Sequence, residues 1–220
     1  MADLYLVDNY GNYRCSEIDF GFNDTYDAMN HEHIRNNETM DYDDYNCFGY
    51  ALGTYNWGVP YLTYSYLEEL QDEKLIDNRS IIDYEQDLIS EIMDIAKEIN
   101  KPLDYDEVGV ICERIMSGRF NDIFAIEIAK RHILSAFDNI RLVESFDELQ
   151  SNEYGIVYAA STTDFHFGKY YPIHNCYTHK FGNLEPEIIF REDDLFRGGY
   201  NSKRIYFAKK TEDDECLILP

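Results

Sequence analysis

Cys47 stands in the stretch "DDYNCFGYALG" (43–53), after an acidic, polar run and before small residues that can open a helix. Asn46 is a good N-cap, which puts Cys47 in the first helical turn. Free N–H groups and the helix dipole stabilise a thiolate there. Asp41, Asp43 and Asp44 would oppose ionisation if they lay close. The plainer alternative is a buried thiol on an apolar helix face, and this segment alone favours it.

A nucleophilic thiol needs a base. "TTDFHFGK" (162–169) places His166 in an alternating strand. Asp164, His166 and Gly168 point one way, Phe165 and Phe167 the other. If the phenylalanines are core, His166 faces a cleft or solvent. "YTHKFG" (177–182) puts His179 in the next strand. A hairpin sets the two histidines side by side, with about 5 Å between facing Cα atoms. Nucleophile, base and orienting group form the logic of a cysteine hydrolase. Two surface histidines on a hairpin are the alternative.

Other ligand-type residues give weaker patterns. His31 and His33 are one residue apart, and Cys176 and His179 lie near His174 and His166. None has the spacing and second half of a zinc site, so no metal is expected. His132 on a helical stripe reads as a satisfied core or boundary histidine. Gly198-Gly199 reads as a turn with no phosphate-loop pattern after it, and no cofactor is expected.

These residues need a scaffold. "LYLV" (4–7) reads as a short strand, and 8–46 as Asn- and Asp-rich loop. A helix starting after Asn46 should stop near Gly53, with "WGVP" (57–60) as a turn. Ser80 can cap a helix carrying Ile81, Leu88, Ile92, Ile95 and Ile99, ended by Pro102. Val108, Ile111, Cys112 and Ile115 form a second stripe closed by Gly118. Phe124, Ile128 and His132, with Ile126, Ala129, Ile133 and Phe137 beside them, form a third. The last third changes period. Strands are expected over 154–161, 164–171, 175–181, 187–190 and 204–210, with "PIHN" as a hairpin turn. The architecture is α+β: a leading helix, a helical block, then an antiparallel sheet.

Composition narrows the function classes. The 220 residues fit one domain, or one domain with a large insertion, and 45% hydrophobic residues support a core. Twenty Tyr and thirteen Phe argue against disorder. A net charge of −24 repels phosphates, which excludes ordinary nucleic-acid binding and disfavours an anionic membrane. A basic partner protein is allowed, although solubility alone would explain the charge. The five cysteines (Cys15, Cys47, Cys112, Cys176, Cys216) are odd in number and lack a CxxC, which points to a reducing compartment. "MADLYLVDNYGNYR" shows no signal peptide, so a cytoplasmic location is expected.

Two segments together resemble a family of small papain-like proteins common in bacteria and phages. "NCFGYALG" (46–53) with "NWGVP" (56–60) is similar to its Asn-Cys-aromatic-x-Tyr-Ala-Leu segment with following Trp and Pro. "ELQSNEYGIVYAASTTDFHFGKYYPIHNCYTHKFG" (148–182) is similar to its second block, built on Asp-aromatic-His and aromatic-Ser/Thr-His-Lys-x-Gly. The order Cys, His, His is also that of NlpC-type cysteine peptidases. Gly49, Gly168-Lys169 and Tyr177 depart from the family pattern, and the Cys-to-His interval is long because of the added helices.

The resemblance implies one papain-like domain over 1–220, with a nucleophile helix on an antiparallel sheet and a helical insertion at about 61–140. It implies Cys47 as nucleophile, His166 as base and His179 as orienting residue, with Asn46 supporting the oxyanion site. The substrate would be a peptide or protein amide. Tyr50 and Trp57 are candidate pocket walls, with core packing as the plainer role. The rival expectation is an acidic phage-type protein that binds a basic host factor in place of nucleic acid, its triad vestigial. The acidic runs 41–44, 192–194 and 212–215 would then share a face.

Overall fold

A computed structural model describes residues 2–7, 13–18, 46–53, 59–72, 78–182, 184, 186–197 and 199–210. Asp41, Asp43, Asp44, His31, His33, Trp57, Gly198 and Cys216, and the runs 41–44 and 212–215, lie outside them. For 2–7 and 13–18 the backbone alone is described.

The chain is an α+β protein that divides into two compact units. The first contains 1–58, 137–159 and 166–220; the second contains 59–136 and 160–165.

In the first unit, β1 (Ala2–Val7) and β2 (Tyr13–Ile18) form an antiparallel pair. The second of these strands falls in the stretch expected to be loop. Its polar composition hides a pairing that the register supplies. The candidate nucleophile helix is α1 (Cys47–Leu52). The main sheet comprises β3 (Ile140–Val143), β4 (Glu153–Ala160), β5 (Phe165–Tyr171), β6 (Cys176–His179), β7 (Glu187–Ile189) and β8 (Ile205–Lys210). Their order is β3-β8-β4-β5-β6-β7. Asn175 closes the β5–β6 hairpin at "PIHN" with φ 47°, a left-handed value that asparagine tolerates. A short helix, α6 (Glu192–Leu195), follows β7.

Both faces of this sheet are covered. On one, Phe48 of α1 meets the Phe167 ring edge-on at 5.3 Å. On the same face Tyr50 donates its hydroxyl to Thr178 Oγ1 at 2.9 Å, and Tyr154 donates to the Ala51 carbonyl at 3.3 Å. On the other face Val157 and Ala159 pack with Leu195 and Phe196, flanked by Phe146, Tyr177, Ile189, Tyr200 and Tyr206. Two glycines allow this second layer to close. A Cβ at Gly155 would lie 2.4 Å from Phe146 Cε1, and one at Gly168 2.7 Å from Leu195 Cδ2.

The second unit holds α2 (Tyr64–Asp72), α3 (Asn78–Glu98), α4 (Tyr105–Met116) and α5 (Ile123–Ala136). Leu88, Ile92 and Ile95 of α3, Val108, Cys112 and Ile115 of α4, and Phe124, Ile128 and Ile133 of α5 are buried. The period-3.6 stripes thus form this unit's core. Helix α3 begins two residues before Ser80, so Ser80 lies inside it and is not its cap. Asp104 caps α4 in a reciprocal capping box with Glu107.

Candidate functional site

The local sequence explains α1. Asn46 is extended (φ −105°, ψ −173°), and its Oδ1 accepts the Gly49 N–H at 3.1 Å. Gly53 ends the helix at φ 70°, donating back to the Gly49 and Tyr50 carbonyls. Six residues are too few to hold a helix in water, so packing must support it. The Lys209 ammonium bonds the Leu52 carbonyl at the helix C-terminus, where the dipole favours a cation. Cys47 is the first helical residue, buried and not in a disulfide. The Asn46 side-chain oxygen serves as a cap. Tyr50 is 1% exposed and packs in the core.

The two imidazoles meet as expected. His166 Nε2 lies 2.9 Å from His179 Nδ1, with the rings at 86° to each other. The β5–β6 register pairs Gly168 with His179, which puts His166 diagonally across from it. Each histidine is 1% exposed. Phe181 stacks on His166 at 4.3 Å, and Phe196 and Tyr200 close round it. The expected cleft or solvent beside His166 is therefore filled by the aromatic layer that follows β6 and α6. Burial and then neighbouring His179 push the His166 pKa down to about 3. Burial pushes His179 down to about 4. Both rings are neutral near pH 7, the form in which an imidazole can accept a proton.

Side-chain parity separates the thiol from this pair. Phe167 shares its side of β5 with Lys169, whose ammonium sits 4.7 Å above the Tyr50 ring, so this side faces α1. His166 has the opposite parity and joins Gly168 and Tyr170 on the side facing Leu195 and Phe146. The structure brings His166 and His179 together on one face of the sheet, and the helix that Cys47 begins packs on the other through Phe48 and Tyr50. Cys47 acts electrostatically on Tyr158, whose phenol is raised in pKa by burial and then by the thiol.

Two groups beside the site, one buried and one half-exposed, are not signalled by the sequence motifs. Lys169 is 4% exposed, and burial followed by repulsion from Lys209 lowers it to about 7. Its parity with Phe167 and Tyr171 was the available signal. Glu187 pairs with His179 across β6 and β7 in register, its Oε2 3.7 Å from His179 Nε2. Its place was hidden because the β6–β7 loop length sets the register.

In the other unit, His132 is a satisfied boundary histidine. Its Nε2 lies 3.0 Å from Glu91 Oε2 and its Nδ1 3.2 Å from the Pro60 carbonyl. Among the described residues no cluster of three or more metal-ligating side chains occurs, and no helix is long and apolar enough to cross a membrane. Compared with known proteins, the chain matches no family model, no curated protein and no solved structure, so the chemistry of the site rests on its own geometry.

Proposed function

We propose that the protein is a cysteine-dependent amide hydrolase of papain-like architecture, acting on a peptide or protein amide. Cys47 is the nucleophile, His166 the base and His179 its orienting partner. The observation that carries this reading is the buried His166–His179 pair at 2.9 Å on adjacent strands, in the same unit as a thiol that opens a helix. In the reaction, His166 takes the Cys47 proton, the sulfur attacks the amide carbonyl, the amine leaves with a proton, and water releases the acyl group.

Parity sets a demand on this mechanism. His166 is the second residue of β5, at the margin of the sheet. This mechanism requires thiol and imidazole to meet past that strand end, and the packing of α1 and of the histidine pair on opposite faces is the observation that weighs against it.

Alkylation by iodoacetamide at pH 6 tests this. Cys112 and Cys176 are inert references, pushed up by burial to about 11 and about 12. Cys47 should react faster than either, and His166→Ala should remove that advantage. Slow labelling of all three, or fast labelling of Cys47 unaffected by His166→Ala, sinks the proposal.

The acidic-decoy reading gains nothing from Glu192, Asp193 and Asp194. Arg204 bonds Glu192 at 2.6 Å and Asp193 at 2.7 Å, and Arg197 bonds Asp194 at 2.6 Å.

A further inference from the structure

We propose that Glu187 is a positioning residue that fixes the tautomers of both histidines, so that His166 presents Nδ1 as its basic atom. The His166 Nε2–His179 Nδ1 bond holds one proton when both rings are neutral. Which ring donates it depends on the far nitrogen of the pair, His179 Nε2. That atom is buried and has no hydrogen-bond partner among the described residues. The carboxylate facing it is Glu187, its directly opposed neighbour on β7, at 3.7 Å. This is just beyond hydrogen-bond range, and a small rotation of the half-exposed Glu187 side chain closes the gap.

A carboxylate only accepts. Glu187 therefore favours the proton on His179 Nε2. His179 Nδ1 is then a lone pair, and His166 Nε2–H must donate to it. The second nitrogen of neutral His166, Nδ1, is left with the lone pair. In the opposite arrangement His179 Nε2 would be a buried lone pair facing a negative charge, and His166 Nδ1 would carry a hydrogen and be useless as a base. One half-exposed carboxylate on an edge strand thus decides the polarity of a row of groups across three strands.

That Nδ1 receives the Cys47 proton rests on the hydrolase reading; the tautomer assignment does not. Long-range proton–nitrogen spectra of the 15N-labelled full chain near pH 7 read the tautomers directly. Both His166 and His179 should be Nε2–H. In Glu187→Ala both should shift together toward Nδ1–H, since one proton serves the bond between them. Glu187→Gln keeps an acceptor oxygen and should retain the native pattern, which a purely structural loss would not. Unchanged backbone amide spectra in the variants confirm folding. Cys47→Ala should leave the pattern as it is, whether or not the protein hydrolyses anything. A native His179 in the Nδ1–H form, or tautomers unmoved by Glu187→Ala, overturns the proposal.

Discussion

Burial governs how His166, His179 and Lys169 titrate. The folded histidines bind protons less readily than the unfolded chain, whose histidines titrate near 6.5. The unfolded state therefore holds more protons below that pH, and stability falls as acid is added. Each proton contributes a slope of about 1.4 kcal/mol per pH unit. Denaturant titrations between pH 7 and pH 4 should show this decline, and His166→Gln should remove its share of the slope. Lys169 shifts in the same direction but in another window, from an ordinary 10.5 to about 7. Between those values the unfolded chain again binds more protons, so stability climbs as pH rises. The Tyr50 and Tyr154 rings near the ammonium offset part of the cost of burying it. Lys169→Met should be more stable than the native protein at pH 7 and should lose the alkaline climb. A Met variant that is less stable at pH 7 would mean that the ammonium contributes more than its desolvation costs.

Short elements depend on their ends and on what lies across from them. Asn46→Ala removes the α1 cap and should cost about 1 kcal/mol, read from the urea midpoint. Gly168→Ala drives a methyl group into Leu195 and should cost about 1–3 kcal/mol through overpacking. A Leu195→Ala partner substitution should recover part of that loss, because it clears the colliding atoms. The same dependence on ends and neighbours decides what a sequence reveals. Asn46 and Gly53 are local signals, and α1 lies between them as expected. Phe167 and His166 alternate, and their opposite faces follow. Helix α2, strand β3 and helix α6 carry no such signal. β3 is four residues containing Arg141, whose guanidinium bonds the buried Glu153 carboxylate at 2.7 Å, a partner 12 positions away. Helix α6 is a run of acids with one leucine. Its place over Gly168 comes from Leu195, Arg204 and Tyr206, which no periodicity in "EDDL" announces. The filled space beside His166 was unreadable for that reason.

At the scale of the molecule, 43 acidic against 19 basic side chains leave a large excess of negative charge. Self-repulsion of this kind is long-ranged and weakens as salt shortens the screening length from about 30 Å at 0.01 M to about 10 Å at 0.1 M. Thermal unfolding should shift upward over that range by roughly a few degrees, and a falling midpoint would show that attractive pairs outweigh the excess. The sealed histidine pair has a consequence of another kind, in time. A group 1% exposed meets a reagent only while its cover is lifted. Carbonate-ester modification of His166 should rise with reagent concentration and then level off, the plateau being the rate at which Phe181 and Tyr200 part. Any turnover that uses His166 can run no faster than that opening, so the clock of this protein would be set by two aromatic rings that never touch the bond being broken.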